Sequence, residues 1–125
     1  MAKPPHDGER RMLFPDGTLS GIENYLHGKK SGSAEYWHAN GAKKAEGSFV
    51  KGKFSGDWRW WRDNGELKQQ GSFVDGEQDG LWRRWHESGA LHDEGMWVRG
   101  KKSGIWKRYD REGQLVEAVA YADRT

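Results

Sequence analysis

Apolar residues alternate with polar ones in short runs along this chain, and the runs recur with a period of 24 residues. Alternation of this kind places successive side chains on opposite faces of a β-strand. Turn signals that contain glycine separate the runs, so that each period holds two short strands. The pattern therefore predicts consecutive β-hairpins, with helix almost absent.

Glycine follows the same period. Seventeen of the 18 glycines fall in four series spaced by 24 residues, and only Gly21 lies outside them. A fixed period of this length is typical of repeat proteins, in which each unit is covered by its neighbours. The frame predicts one repeat domain over 8–125, after an N-terminal extension or cap at 1–7. About five repeats make up this domain, with the bounds 8–31, 32–55, 56–79, 80–103 and 104–125.

A three-residue loop closed by glycine joins the two strands of each repeat, as at 63–65 in the third repeat. Such a loop is typical of a type I turn followed by a glycine in the left-handed region. The turn predicts a register in which Arg62 faces Glu66 and Trp61 faces Leu67. In later repeats the same register predicts two opposite-charge pairs, Arg83 with Asp93 and Lys107 with Glu117.

The predicted fold is all-β. It is a single extended, twisted antiparallel sheet of about ten strands in meander order. The alternative is that the same sheet curls into an open trough. Eight tryptophans and few aliphatic residues predict a thin, mainly aromatic core. Charged residues make up 32% of the chain, but the strict period indicates ordered faces and not disorder.

Alternation assigns the aromatic residues to two faces. The predicted core face carries Trp37, Trp61, Trp85, Phe49, Phe73 and Trp97, together with Gly47, Gly71 and Gly95, over which neighbouring rings can lie. The opposite face carries the candidate partner-binding residues, which are Tyr36, Trp58, Trp60, Trp82, Arg84, Trp106 and Arg108. Two interpretations of that face stay open: the rings are buried with arginine stems along them, or they form an exposed strip typical of binding hot spots.

The loops that join successive hairpins carry most of the concentrated charge. Their lysines are candidate ligands for anionic lipid, and they are Lys29, Lys30, Lys51, Lys53, Lys101 and Lys102. Asp75, Glu77 and Asp79 interrupt the basic row in the third repeat. A solvated turn edge is therefore the competing interpretation.

The residues favour no catalytic, metal or cofactor chemistry. The chain has no cysteine, and its serines fall mostly at turns or repeat positions where a small polar residue suffices. His38 and His86 share a slot two repeats apart, too far apart to bind one metal, and we expect them to be turn-flanking surface residues. The net charge of +2 is too small to indicate nucleic acid as a partner. The N-terminus lacks the apolar segment of a secretory signal, so a cytoplasmic location is expected.

From Gly8 to about Tyr121 the chain resembles the MORN repeat in its bacterial variant form. The resemblance rests on glycine followed two residues later by tryptophan, on Asn-Gly at the turn, and on the run G-x-[FW]-V-x-G-x-x-x-G. Proteins of this group are commonly labelled YwqK-type antitoxins, which implies a cytoplasmic protein that binds and neutralises a partner toxin. Elsewhere the family serves as a scaffold or interaction module and is linked to membranes. Four residues depart from the pattern: Arg10 and Ala34 replace the tryptophan, and Glu23 and Val119 replace the glycine.

The functional expectation is a noncatalytic protein-protein interaction module of antitoxin or immunity type, which acts through the face with tryptophan and arginine. The alternatives are peripheral binding to anionic lipid through the basic loops, and a scaffold or homo-oligomer formed by strand addition at a sheet edge. The protein is then a monomer or an edge-paired oligomer.

Overall fold

The computed structural model describes residues 7–124, and this part of the chain contains strands and turns but no helix. Most of the predicted cap at 1–7 lies outside the described residues. The strands are β1 Gly8–Leu13, β2 Leu19–Leu26, β3 Lys29–Trp37, β4 Lys43–Val50, β5 Lys53–Trp61, β6 Leu67–Val74, β7 Glu77–Gln78, β8 Gly80–Trp85, β9 Leu91–Val98, β10 Lys101–Tyr109 and β11 Leu115–Tyr121. Within the described range, no helix is long and apolar enough to cross a membrane.

All eleven strands form one antiparallel sheet in meander order, with β1 and β11 at its two edges. The third repeat contains the one irregularity of the order, because β6 pairs with both β7 and β8. The prediction of a single antiparallel sheet of consecutive hairpins is confirmed.

The three-residue loops have the predicted geometry. In the third repeat the Arg62 amide donates to the Glu66 carbonyl at 2.8 Å, and the Gly65 amide donates to the Arg62 carbonyl at 2.9 Å. Gly65 has a φ of 91°, which an L-residue rarely adopts. The predicted pair of Trp61 with Leu67 is also present.

Two-residue turns join successive hairpins at the other ends of the strands. The first turn residue is left-handed in each case, at His27, Lys51, Asp75 and Arg99, with φ between 49° and 53°. A glycine with φ between 77° and 81° follows each of them. Two consecutive residues with positive φ define the type I′ turn, whose twist matches that of the flanking strands.

A β-bulge beside each three-residue loop shifts the register by one residue. In the third repeat Trp61 faces Leu67, but Trp60 faces Gln69, which leaves Lys68 as the extra residue. The predicted opposite-charge pairs are therefore wrong by one position. Arg83 faces Glu94, Arg84 faces Asp93, Lys107 faces Ala118 and Arg108 faces Glu117.

The same bulge corrects the assignment of faces. Because one strand gains a residue, Gly71 and Phe73 move to the face that carries Trp58 and Trp60. The predicted core face is therefore wrong in its grouping: Phe49 is buried as predicted, but its ring meets that of Trp58, which was assigned to the opposite face, edge to face with centroids 5.2 Å apart. The buried core consists of Ala34, Ala45, Phe49, Trp58 and Trp82.

Tryptophan over glycine is the repeated packing unit. The indole of Trp58 lies against Gly47 on the preceding strand, where a Cβ would overlap the ring. The indole N–H of Trp58 donates to the Ser48 carbonyl at 2.9 Å, which satisfies the buried donor. Trp82 over Gly71 and Trp106 over Gly95 repeat the arrangement. Aromatic packing over these glycines was predicted, but by rings from other positions.

Side chains also link each three-residue loop to the next. The Nε2 atoms of His38 and His86 lie 2.8 and 2.7 Å from the carbonyl oxygens of Trp61 and Tyr109. Arg62, in the same slot, donates to the Trp85 carbonyl at 2.8 Å. The expectation that these histidines are surface residues is therefore incomplete, because they are half-buried and connect hairpins.

Candidate partner-binding face

One face of the sheet carries two groups of packed rings, and we call it the aromatic face. Its residues are Tyr36, Phe49, Phe54, Trp58, Trp60, Phe73, Trp82, Trp97 and Trp106. Centroids lie 6.5 Å apart between Tyr36 and Trp58, 5.7 Å between Trp58 and Trp60, and 5.9 Å between Trp60 and Trp82. From Tyr36 to Trp82 each ring contacts the next, whereas Trp97 and Trp106 form a separate edge-to-face pair with centroids 5.4 Å apart.

The predicted partner-binding residues differ in exposure. Trp58 and Trp82 are 1% and 4% exposed, so the interpretation as an exposed strip is wrong for these two rings. Both rings pack directly against the backbone of the sheet, because Gly47 and Gly71 beneath them have no side chain. Tyr36, Trp60 and Trp106 are half-buried and present part of each ring to solvent, and Arg84 and Arg108 are exposed.

Both arginines of the predicted set have partners within the chain. Arg84 binds Asp93 through two parallel hydrogen bonds, with Nε to Oδ1 at 3.0 Å and Nη2 to Oδ2 at 2.5 Å. Arg108 lies 3.4 Å from the Glu117 carboxylate. A bidentate pair fixes the guanidinium plane. Arg84 therefore forms an ordered polar border of the aromatic face.

A cleft of about 650 Å³ opens on the aromatic face between β1 and β5, and we call it the first cleft. Most of its lining is apolar, and Glu23, Lys30 and Lys44 supply its charges. The apolar lining consists of Met12, Phe14, Tyr36, Trp37, Ala45, Phe49, Phe54, Trp58 and Trp60. A mostly apolar concavity with a few charged groups is the usual form of a binding site.

Glu23 is buried in the first cleft, with 4% of its surface exposed. Its carboxylate accepts hydrogen bonds from the hydroxyls of Tyr25, at 3.0 Å, and Tyr36, and it pairs with the Lys30 ammonium at 3.0 Å. Burial alone would raise the pKa of Glu23, but these partners outweigh it and lower the pKa. The pKa of Tyr36 is raised by burial and by its hydrogen bond to this carboxylate. Glu23 therefore remains ionised.

A second cleft, of about 270 Å³, lies further along the same face. Its lining consists of Trp82, Trp97, Trp106, Gln69, Gln78, Arg83, Arg84, Asp93 and Lys102. The side chain of Arg83 alternates to the opposite face of β8 and pairs with Glu94 at 2.9 Å. The ammonium of Lys102 lies over the rings of Trp106, Trp97 and Tyr121, at 4.7, 5.9 and 5.4 Å from their centroids. Three rings around one ammonium provide cation–π stabilisation.

The candidate lipid ligands separate into two groups. Lys29, Lys51, Lys53 and Lys101 are exposed at the edge formed by the type I′ turns. Lys30 and Lys102 instead turn onto the aromatic face, where their ammonium groups lie over rings. The six lysines therefore do not form one surface.

Sequence reasoning missed the first cleft. It assigned no role to Glu23, and it placed Lys30 with the lipid ligands. A signal was present in the sequence, because Glu23 and Ala34 both depart from the repeat pattern and they are direct neighbours on β2 and β3.

His86 and His92 come together across their turn, with ring centroids 4.2 Å apart. Within 7–124, however, no three His, Asp or Glu side chains are grouped closely enough to hold a metal ion.

The fold and the packing unit define a β-hairpin repeat protein. A family model described as "MORN repeat variant" matches residues 54–75 and 102–123. The first segment covers most of the β5–β6 hairpin and the second covers the β10–β11 hairpin. Their starting residues lie 48 positions apart (102 − 54), which is two periods of the glycine frame. These matches support the MORN-repeat family. No curated protein matches the chain.

Proposed function

We propose that this protein is a noncatalytic module that binds a partner protein through its aromatic face. The observation that carries the proposal is the first cleft, with half-buried rings beside charged groups on a rigid sheet. Aromatic residues and arginine are enriched at the centres of protein interfaces. A hairpin-repeat array with supporting matches to the MORN repeat agrees with a binding role.

Within that role we propose an antitoxin or immunity-like protein, acting in the cytoplasm, as the resemblance to YwqK-type antitoxins implies. The test is genetic. A neighbouring reading frame should be toxic when expressed alone and tolerated when expressed together with this chain. A genome with no such toxic neighbour would remove the antitoxin role while leaving the binding role in place.

The binding role is tested by changing the aromatic face at two positions, Trp60→Ala and Arg84→Ala. The matched control is Arg59→Ala with Arg83→Ala, because these residues are the strand neighbours whose side chains alternate to the opposite face. Thermal unfolding of each variant establishes that it is folded. Arg84→Ala alone serves as a second variant, because Trp60 packs against two other tryptophans. We expect partner binding to be lost in the two aromatic-face variants and kept in the control. Partner binding that survives both Trp60→Ala with Arg84→Ala and Arg84→Ala alone would refute the proposal.

Lipid binding is the second candidate, because four exposed lysines lie along the edge of type I′ turns. Co-sedimentation with vesicles that contain anionic lipid, at low salt, tests it. We expect any binding to fall when Lys29, Lys51, Lys53 and Lys101 are replaced by Gln. No sedimentation with acidic vesicles would remove this candidate.

Oligomeric state is a separate proposal. The protein is a monomer or an oligomer joined by strand addition at a sheet edge, β1 or β11. The mass in solution across a range of concentrations distinguishes the two.

A further inference from the structure

Lys102 presents its ammonium group to the second cleft without a carboxylate to bind it. The ammonium lies over the rings of Trp106, Tyr121 and Trp97, and the nearest centroid is 4.7 Å away. It makes no hydrogen bond and no ion pair with any of residues 7–124. Rings attract a cation, but they are not the oxygen acceptors that its three N–H groups prefer. The rings therefore hold the ammonium in place and leave it able to bind an acceptor.

Lys30 occupies the same slot three periods earlier and shows what a lysine binds there. Like Lys102, it lies over a ring, that of Phe49, at 4.9 Å from the centroid. Unlike Lys102, it also pairs with the buried carboxylate of Glu23, at 3.0 Å. In the fourth repeat the slot of Glu23 holds Gly95, which has no side chain. The described residues therefore supply a carboxylate for Lys30 and none for Lys102.

The other polar groups of the second cleft suit the same ligand. Arg84 and Asp93 balance each other through their bidentate pair, so Lys102 supplies the unbalanced charge on this face. The side-chain amides of Gln69 and Gln78 also line the cleft, and neither has a hydrogen-bond partner in the part of the chain that the structure describes. An amide N–H and an ammonium can both donate to one carboxylate. The cleft therefore favours a negatively charged oxygen ligand.

We infer that Lys102 binds an acidic side chain, Glu or Asp, of the partner protein, which enters the second cleft. This inference rests on the proposed function and names the chemistry of one contact. The partner's carboxylate accepts from the Lys102 ammonium, as the Glu23 carboxylate accepts from Lys30 within the chain. With about 270 Å³ the cleft is smaller than most pockets for drug-sized ligands, and it suits a single side chain. A lipid headgroup fits less well, because Lys102 lies on the aromatic face, away from the exposed lysines of the turn edge.

Two blocked tripeptides that differ in a single charge, acetyl-Tyr-Glu-Tyr-amide and acetyl-Tyr-Gln-Tyr-amide, are the probes. Titration of the ¹⁵N-labelled protein, followed through the indole N–H signals of Trp97 and Trp106, measures their affinities. We expect the Glu peptide to bind roughly fivefold more tightly than the Gln peptide, as for one partly exposed ion pair. The tyrosines are the same in both peptides, so the difference between the affinities reports on the carboxylate.

Lys102→Gln should abolish the preference for the Glu peptide, because it removes the ammonium from the cleft. Lys101→Gln is the matched control, since it removes the same charge from the adjacent residue of β10, which is exposed at the turn edge. The preference should survive in this control. Thermal unfolding of both variants establishes that they are folded.

Gln78→Glu is a second test, which keeps Lys102 and the size of the cleft residue, and it applies even if Lys102→Gln does not fold. The new carboxylate lies among the residues that line the second cleft, where it can pair with Lys102 as Glu23 pairs with Lys30. Binding of the Glu peptide should fall by roughly fivefold or more, because the ammonium is already neutralised. Gln70→Glu is the control, because the side chain of Gln70 alternates to the opposite face of β6.

Three results would overturn the inference: equal affinity of the wild-type protein for the two peptides, a preference that persists in Lys102→Gln, or a preference that is lost in Lys101→Gln as well. Equal peptide affinities together with weaker vesicle binding of Lys102→Gln would assign the ammonium to lipid instead.

These results are distinct from failure of the proposed function. If the peptides bind equally but the Trp60 and Arg84 variant still loses its protein partner, the assignment of Lys102 falls and the binding role stands. If that variant keeps its partner, the binding role falls whatever the peptides do.

Discussion

At the scale of single residues, the fold depends on glycines that admit a ring. Gly71 lies beneath the indole of Trp82, and a Cβ at this position would overlap ring atoms that are themselves 4% exposed. The ring cannot move aside easily, because its N–H also donates to the Ser72 carbonyl at 3.0 Å. The clash is therefore with a fixed group, unlike a clash with the flexible end of a long side chain.

We predict that Gly71→Ala lowers the free energy of unfolding by about 1–3 kcal/mol, as overpacking of a tight core usually does. Chemical denaturation measures the change. In a Trp82→Ala background the overlapping ring is absent, so Gly71→Ala should cost much less there. Equal costs in the two backgrounds would show that ring contact is not the cause.

A second residue-scale prediction concerns His92. Burial, followed by the positive charge of Arg84, lowers the pKa of His92 below its ordinary 6.5. Asp93 opposes this shift, and His86 and Arg108 add to it. A depressed histidine pKa means that the unfolded chain takes up the proton first as the pH falls.

The free energy of unfolding should therefore decrease as the pH drops from about 6.5 towards the lower pKa of His92 in the folded protein, and the His92 contribution should then level off. His92→Gln should remove this part of the pH dependence. Denaturant titrations at several pH values give the comparison. An unchanged profile in the variant would contradict the prediction.

Glu23 adds a second pH dependence to the free energy of unfolding, at acidic pH. Because its hydrogen bonds and ion pair lower its pKa in the folded protein, its contribution is present above the ordinary carboxyl pKa of 4.5. That contribution should be lost as the pH falls through the folded value. Glu23→Gln should reduce the dependence of the free energy of unfolding on pH below 4.5. An unchanged dependence in this variant would contradict the stabilising role of the ionised Glu23.

At the scale of the elements, the type I′ turns hold residues that are poorly suited to them. Lys51 has a φ of 51°, although lysine gains nothing from the left-handed region. That conformation costs an L-residue roughly 1–2 kcal/mol, and asparagine adopts it more readily. Gly52 already suits the second position.

We predict that Lys51→Asn raises the free energy of unfolding by roughly 0.5 kcal/mol, a part of that conformational cost. Thermal and denaturant unfolding measure it. Lys53→Asn is the control, because Lys53 lies in β5, where asparagine is disfavoured. A stabilisation of the same size in the control would point to the lost charge as the cause.

The elements also show what the sequence could predict. The glycine at each turn determines the loop length, so the hairpins and the pair of Trp61 with Leu67 were predictable. The extra residue of each bulge, such as Lys68, leaves no mark in composition or alternation. One unpaired residue reverses the faces of the rest of the strand. The faces and the charge pairs were therefore assigned wrongly, although the strands were right.

At the scale of the molecule, the repeats are not equivalent units. Five equal units would give a uniformly packed aromatic face. Replacement of tryptophan by Ala34 and of glycine by Glu23 gives one unit a buried carboxylate, bound by Tyr25, Tyr36 and Lys30, where the next repeats have an indole over a glycine. Both substitutions are visible in the sequence. Only the strand register shows that Glu23 and Ala34 face each other across β2 and β3.

The central claim is that the aromatic face, and not the opposite face, binds the partner. The most direct measurement is quantitative affinity capture from the native host with three baits: the wild-type chain, Trp60→Ala with Arg84→Ala, and Arg59→Ala with Arg83→Ala. The account predicts proteins retained by the wild-type and Arg59, Arg83 baits and lost from the Trp60, Arg84 bait. Retention by all three baits, or loss only from the Arg59, Arg83 bait, would contradict it.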